Sequence, residues 1–142
     1  MLTAMFLTAL ITMLTIVIHY EAISIIHNWH GRTFGGPRVK VVGGVFLLFA
    51  AHTVEIWLFA LGLVTAEHVF GLGTMEGKFD GTLRDYLYIS TVTYTTLGYG
   101  EIWPTGNLRT ICGFESLIGL LMMAWSAAYT VSRLEGIWKG NP

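Results

Sequence analysis

Three long runs of apolar residues alternate with shorter polar segments along the chain. The first covers residues 1–18 and has no ionisable side chain, and the other two cover residues 41–66 and 108–133. A helix needs roughly 20 predominantly apolar residues to cross about 30 Å of hydrocarbon. The pattern therefore predicts three membrane-spanning helices. Because no basic stretch precedes the apolar core of the first run, we interpret it as a retained span and not as a cleaved signal peptide.

The residues that follow the first run keep a helical period. Apolar side chains from Ala22 to Trp29 recur at the spacing of one helix face, which predicts an amphipathic extension of the first helix. The sequence RTFGGPRVK, residues 32–40, contains two glycines and a proline and is expected to end that helix. Residues 1–40 are thus predicted to form a transmembrane helix, its amphipathic extension and a cytoplasmic loop.

A fourth apolar segment, residues 86–100, is uncharged but too short to cross the membrane. At 1.5 Å per residue its helix would cover roughly 22 Å. Backbone that enters a membrane without crossing it is tolerated where protein buries it or where it lines a water-filled cavity. Thr82 and Asp85 have the spacing of a capping box. We therefore predict a re-entrant segment, with a short helix over residues 83–94 and extended backbone over residues 95–101.

The composition supports a membrane protein. Hydrophobic residues make up 54% of the chain and charged residues 12%, about half the charged share of a typical soluble domain. The predicted fold class is therefore an all-α membrane protein with lipid around it. A formal net charge of -1 gives no reason to expect nucleic acid as a partner. The lone Cys112 cannot form an internal disulfide.

Basic residues predict the orientation of the spans. Arg32, Arg38 and Lys40 lie between the first two apolar runs, and Arg133 and Lys139 follow the third. Segments rich in lysine and arginine stay on the cytoplasmic side. We therefore expect a multi-pass protein of the plasma or inner membrane, with the N-terminus outside, the C-terminus in the cytoplasm and the re-entrant segment open to the outside.

The sequence TTLGYG, residues 95–100, has a chemistry that suits a cation without its water shell. Such a cation needs oxygen ligands, and backbone carbonyls supply them when they point to one side. Gly98 and Gly100 permit the left-handed backbone that turns successive carbonyls the same way. Thr96 adds a hydroxyl at the inner end, and Tyr99 is expected to pack outward with its hydroxyl satisfied.

The sequence TLGYG, residues 96–100, preceded by Thr95 and followed by Glu101, resembles the selectivity-filter signature T-V-G-Y-G-D of potassium channels. The similarity extends from the second span through the third, over residues 41–142. The resemblance implies a potassium-channel pore domain in this part of the chain. Its parts are an outer helix 41–66, a pore helix 83–94, a filter 95–101 and an inner helix 108–133.

The resemblance also implies which atoms bind potassium ions, the only bound cofactor expected. They are the Thr96 hydroxyl and the backbone carbonyls of Thr96, Leu97, Gly98 and Tyr99, with Gly100 opening the outer mouth. The residues expected to support the filter are Thr95, Glu101, Tyr88 and Tyr94.

Four positions depart from the family pattern. Leu97 replaces the usual valine or isoleucine, and a side chain that is not branched at Cβ restrains the backbone less. Glu101 replaces the common aspartate, which keeps the charge and moves it outward by one methylene. Tyr88 and Ile89 stand where many members have a tryptophan pair that buttresses the filter tyrosine.

One filter strand cannot surround an ion, and the chain contains one copy with no internal repeat. A homotetramer is expected for a potassium pore, because four identical loops about one axis close the site. The expected function is passive, potassium-selective conduction, and no enzymatic activity is expected. Two alternatives stay open: a weakly selective cation channel and a non-conducting accessory or scaffold protein. Reconstituted potassium and sodium flux separates all three.

The third span carries a candidate gate. Gly119 sits about where the inner helix of such channels often has a hinge glycine, and Gly119, Met123 and Ala127 are spaced to line a cavity. A helix-packing stripe is the alternative for these three residues. No span has basic residues at every third position, which excludes an arginine-rich voltage sensor. With only about nine residues after Arg133, gating is expected in the filter, the inner helix or an unknown regulatory subunit.

Ionisable residues inside the predicted spans are costly and are usually paired or functional. We expect His52, Glu55 and Glu115 to form one buried polar cluster behind the short helix, where it braces the filter or senses protons. A satisfied structural network is the alternative. A metal site is less favoured, because the sequence HTVE, residues 52–55, supplies only two ligands. His19, His27 and His30 are expected at the cytoplasmic interface and not as ligands.

Overall fold

The computed structural model describes residues 1–29 and 36–138, so the predictions for His30, Arg32 and Lys139 lie outside the described residues. The described elements, in chain order, are α1 (Leu2–Trp29), α2 (Pro37–His68), β1 (Met75–Gly77), α3 (Leu83–Tyr94), β2 (Ile102–Pro104) and α4 (Leu108–Trp138).

The predicted fold class, an all-α membrane protein with three spans and a short fourth helix, is confirmed. Three helices are long and apolar enough to cross a membrane, over Leu2–Asn28, Pro37–His68 and Leu108–Gly136. The helix α2 begins four residues earlier than predicted because Pro37 occupies its first turn, where the fixed φ of proline suits a helix start. In α1 the apolar span and its polar extension form one continuous helix.

The short helix α3 has the bounds predicted for the pore helix, Leu83–Tyr94. Its predicted capping box is confirmed: the Thr82 hydroxyl accepts a hydrogen bond from the Asp85 amide at 3.3 Å, and the Asp85 carboxylate accepts one from the Thr82 amide at 3.1 Å. These hydrogen bonds from Thr82 stabilise the ionised carboxylate and lower the pKa of Asp85 below its ordinary value. The box fixes where α3 begins.

The four helices share one apolar core. The helix α3 packs between α2 and α4, and α1 packs against both of those helices. The contact between α1 and α2 is close at Gly62, because a Cβ there would overlap the side chain of Ile11. The most deeply buried apolar side chains of the core include Phe59, Leu63, Leu108 and Ile111. Burial of this core holds α3 at a fixed position beneath the segment that follows it.

The sequence patterns did not predict a small antiparallel sheet between the end of α2 and the start of α4. The strands β1 and β2 pair with Met75 opposite Pro104 and Gly77 opposite Ile102. Gly77 has a φ of 102°, and a Cβ there would overlap the carbonyl oxygen of Glu101. Glycine is therefore needed where the chain that leaves residues 95–101 passes β1.

Candidate functional site

The segment 95–101 leaves α3 without a break. The amides of Thr95 and Thr96 donate to the carbonyls of Thr91 and Thr93 at 3.1 and 2.9 Å, so both residues continue the helix as a turn. The Gly98 amide then donates back to the carbonyl of Val92 at 3.0 Å. The prediction of extended backbone from Thr95 onward is therefore wrong for its first two residues. The last four carbonyls of α3 have no partner further along a helix, and these amides satisfy three of them, those of Thr91, Val92 and Thr93.

Left-handed backbone recurs at every second residue of this segment. The φ angles of Thr96, Gly98 and Gly100 are 59°, 52° and 78°. The prediction of left-handed backbone at the two glycines is confirmed. A Cβ at either glycine would meet no atom within 4 Å, so glycine is needed here for its backbone freedom and not for space.

Thr96 is the one non-glycine residue with a positive φ in the part of the chain that the structure describes. The Thr96 hydroxyl was predicted as a ligand from the sequence, but the left-handed backbone of Thr96 was not predicted. A β-branched residue in this region stores on the order of 1–3 kcal/mol of strain, and such strain gathers at ligand-binding sites. The alternation at residues 96, 98 and 100 is the geometry that lets successive carbonyls face one side.

The residues of the segment 95–101 are exposed in the single chain. Leu97 is 55% exposed and Tyr99 is 67% exposed. The expectation that Tyr99 packs outward with a satisfied hydroxyl therefore has no support from within one chain.

The predicted supporting residues do not converge on one point. The Thr95 hydroxyl donates to the Thr91 carbonyl at 2.7 Å. The Glu101 carboxylate lies 4.0 Å from the Lys78 ammonium, and both side chains are largely exposed. Tyr88 packs at the edge of the core. Among these four residues, Tyr94 alone reaches a buried network of polar side chains.

Tyr94 is the last residue of α3 and is 1% exposed. Its hydroxyl donates to the carboxylate of Glu55 and lies 3.0 Å from Nδ1 of His52. On the other side of the carboxylate, Nδ1 of His19 lies 3.0 Å from Oε1 of Glu55. The side chains of His19 and Glu55 are fully buried. The end of α3 is thus bonded to α2, and through Glu55 to α1.

Ser126 of α4 closes this network into a ring. Its hydroxyl oxygen lies 3.0 Å from Nε2 of His52 and 3.2 Å from Nε2 of His19. Every one of the four helices contributes at least one member. We call these five side chains the polar ring: His19, His52, Glu55, Tyr94 and Ser126.

The predicted polar cluster is therefore two separate groups of side chains, and the group around Glu55 has more members than predicted. His52 and Glu55 come together as expected, with 3.3 Å between Nδ1 and Oε2. Glu115 bonds elsewhere: the Ser90 hydroxyl of α3 lies 2.5 Å from its Oε1. Among the described residues, no hydrogen bond or ion pair joins Glu115 to His52 or Glu55. The two carboxylates contact the same face of α3 about one helical turn apart, Glu115 at Ser90 and Glu55 at Tyr94.

The prediction that His19 lies at the interface is wrong. A signal for its burial is present in the sequence, because His19 follows Thr15 by four residues and precedes Ala22 by three, on the face of α1 that is buried from end to end. His27 is exposed on the same helix, and its Nδ1 lies 2.8 Å from a guanidinium nitrogen of Arg133. His19 also supplies the third donor that the sequence HTVE lacked, since one donor atom each from His19, His52 and Glu55 lie within 4.8 Å of one another.

Gly119 is buried against α3. A Cβ there would overlap the carbonyl oxygen of Tyr94. Met123 packs at the edge of the core, and Ala127 is exposed. The three residues therefore do not line one cavity within the chain, and Gly119 fits the helix-packing alternative because it lets α4 approach the backbone of α3 closely.

Comparison with known proteins adds a family relationship. Residues 44–136 match the model of a protein family described as ion channel. The chain is 30% identical over 115 residues to the uncharacterized membrane protein YdjJ of Bacillus subtilis (strain 168), which covers 77% of this chain and 34% of YdjJ. It is 30% identical over 90 residues to the inward rectifier potassium channel Kirbac3.1 of Paramagnetospirillum magnetotacticum. This alignment covers 63% of this chain and 29% of Kirbac3.1.

A third relative is protein LctB of Geobacillus stearothermophilus, 36% identical over 67 residues, with 46% of this chain and 50% of LctB covered. The chain thus spans half or less of the length of each of these three relatives. No solved structure matches the chain with statistical significance.

Proposed function

The chain belongs to the ion channel family that residues 44–136 match, and on that premise we propose that it forms the potassium-selective pore of a passive ion channel. The observation that carries this proposal is the left-handed backbone at Thr96, Gly98 and Gly100, within the sequence TLGYG at the end of α3. Alternating backbone conformations allow neighbouring carbonyls to face one ion path.

In this proposal the ion sites are built from backbone. The carbonyls of Thr96, Leu97, Gly98 and Tyr99 replace the water shell of K+, and the Thr96 hydroxyl adds a ligand at the inner end. The C-terminal end of α3 carries a partial negative charge that favours a cation nearby. The passage of ions is passive, so no enzymatic step is involved.

The pore is proposed to be a homotetramer. One segment offers ligands on one side of an ion only, and cyclic symmetry supplies the other sides with identical copies. The exposure of Leu97 and Tyr99 in the single chain supports this arrangement, because neighbouring copies would cover them. On α4, Leu117, Leu120 and Leu121 are each more than half exposed and offer apolar surface to neighbouring copies or to lipid.

Potassium is the proposed ion for two reasons. The relative Kirbac3.1 is named as a potassium channel, and its similarity covers 63% of this chain. The sequence TLGYG also retains both glycines and the tyrosine of the potassium signature. Leu97 favours the second candidate function, a weakly selective cation channel, because leucine restrains the filter backbone less than valine does.

The test is ion flux from liposomes that contain the purified full chain. We expect valinomycin-independent efflux of K+ and no comparable efflux of Na+. Gly98→Ala should abolish the flux, because alanine resists the left-handed backbone that Gly98 adopts. Gly81→Ala is the matched control, since Gly81 also has a positive φ, of 75°, and open space around its Cα but lies outside the filter.

Each other outcome rejects the proposal in a specific way. Equal K+ and Na+ flux would support the weakly selective channel. No flux from chains that elute as tetramers would support the non-conducting accessory protein. Undiminished flux through Gly98→Ala would show that the path does not run through residues 96–100.

A further inference from the structure

The number of hydrogens in the polar ring does not match the number of its contacts. Five contacts close it: Glu55 to His19, His19 to Ser126, Ser126 to His52, His52 to Tyr94 and Tyr94 to Glu55. With Glu55 ionised and both histidines neutral, the ring has four hydrogens, one each on His19, His52, Tyr94 and Ser126. Whichever tautomers the histidines adopt, one contact then joins two acceptors. All five contacts become favourable only when one more positive charge, a proton or a metal ion, enters the ring.

The donor atoms around that missing charge are those of a transition-metal site. Nδ1 of His19 and Nδ1 of His52 lie 3.0 and 3.3 Å from the two oxygens of the Glu55 carboxylate. Ligands bound tetrahedrally at 2.0–2.1 Å lie about 3.3 Å apart, so both nitrogen–oxygen separations already match those around a bound ion. One donor atom from each of the three residues lies within 4.8 Å of the other two. Two imidazole nitrogens and one carboxylate are a typical ligand set for zinc, whereas calcium, magnesium and potassium prefer oxygen alone.

Ser126 orients both imidazoles toward this point. A histidine that binds metal through Nδ1 keeps its hydrogen on Nε2 and donates it to a neighbouring acceptor. The Ser126 hydroxyl oxygen has two lone pairs, and it lies within hydrogen-bond distance of both Nε2 atoms. With both hydrogens on Nε2, the two Nδ1 lone pairs are free for one ion, and the two lone pairs of Ser126 accept both hydrogen bonds.

We infer that His19, His52 and Glu55 form a binding site for one divalent transition-metal ion of the zinc class per chain. The Tyr94 hydroxyl, which contacts both His52 and Glu55, stands at the fourth position. The ion joins α1 to α2 and lies against the last residue of α3, so it fixes the first helix to the start of the segment 95–101. The side chain of His52 is 18% exposed, and that edge is the entry for the ion.

The test uses the full chain in detergent with its affinity tag removed, stripped by chelator and then titrated with Co2+ and Zn2+. We expect one Co2+ per chain with the visible absorption of a tetrahedral site, displaced by one Zn2+. His19→Gln and His52→Gln should lose this absorption. Ser126→Ala keeps all three ligands and should weaken binding by about 10–100-fold, the usual effect of removing a partner of a metal-binding histidine.

His27→Gln is the matched control, because His27 is on the same helix and outside the ring. Its binding should equal that of the wild type. Circular dichroism and gel filtration of each metal-free variant establish that it folds. Binding of less than a tenth of an ion per folded chain, or binding unchanged in His19→Gln and Ser126→Ala, would overturn the site and leave an added proton as the charge that completes the ring. Because the readout is metal content, the result is independent of whether the chain conducts potassium.

Discussion

The phenol of Tyr94 donates a hydrogen bond to the carboxylate of Glu55, which joins the last residue of α3 to the interior of α2. Thr95 and Thr96 follow directly as a turn bonded to α3. The contact therefore holds α2 against the residue that precedes the segment 95–101. Through Glu55 and His19, Tyr94 connects α2 and α1 to the start of the proposed ion path.

Tyr94→Phe is predicted to destabilise the fold by about 1–3 kcal/mol, because it removes one hydrogen-bond partner of the buried Glu55 side chain and puts nothing in its place. The measurement is the free energy of unfolding in detergent. Tyr20→Phe is the control, since Tyr20 is 56% exposed on α1 and should be as stable as the wild type. Equal stability of the Tyr94 and Tyr20 variants would show that the contact contributes nothing.

Gly119→Ala is predicted to destabilise the fold by about 1–3 kcal/mol, because the added methyl group overlaps the Tyr94 carbonyl and overpacks the contact between α3 and α4. Gly113→Ala on the same helix is the matched control. No atom lies within 4 Å of a Cβ at Gly113, so alanine there should stabilise α4 by up to about 1 kcal/mol through its higher helix propensity. Opposite signs of the two effects in thermal unfolding are the expected result.

If Gly119 acted as a free hinge, both glycine variants would have similar stabilities and Gly119→Ala would change only the gating of the flux. That outcome would contradict the packing role.

The capping box predicts a pH dependence. Hydrogen bonds from Thr82 lower the pKa of Asp85 in the folded chain, so its contribution to stability is present above the unfolded pKa of about 3.9 and is lost as pH falls through the folded pKa. Asp85→Asn lacks this contribution at every pH. The difference in unfolding free energy between wild type and Asp85→Asn should therefore shrink as the pH falls below about 4. A difference that stays constant with pH would contradict this role of Asp85.

The helices were predictable because their signals are local. The capping box of Thr82 and Asp85 marks the start of α3, and the glycines of TTLGYG mark the change of backbone after it. The same reasoning placed His52 and Glu55 on one face of α2, since they are three residues apart.

The polar ring was not predictable as a whole because its contacts are distant in sequence. His19 and Glu55 are 36 residues apart, and His19 and Ser126 are 107 apart. Most buried positions on α1 are small residues such as Thr15 and Ala22, which do not stand out as an apolar face, so the burial of His19 was not predicted although its spacing from them was visible. The strands β1 and β2 have three residues each, too few for an alternating pattern to appear.

The contact between Ser90 and Glu115 leads to the last prediction. The Ser90 hydroxyl has one hydrogen and lies 2.8 Å from the Ile56 carbonyl and 2.5 Å from Oε1 of Glu115. Both contacts are hydrogen bonds only if Glu115 is protonated and donates to Ser90. The other oxygen of Glu115 is buried without a hydrogen-bond partner among the described residues, which also disfavours a charge there.

Glu115→Gln should therefore be nearly as stable as the wild type, because its amide supplies a permanent N–H donor to Ser90 in a side chain of the same size. Glu115→Ala should be less stable by about 1–3 kcal/mol, because Ser90 loses a partner and the buried space is left unfilled. Unfolding of both variants in detergent at neutral pH measures the difference. If Glu115 were ionised and Ser90 its donor, glutamine would lose the charged hydrogen bond, and Glu115→Gln would be destabilised almost as much as Glu115→Ala.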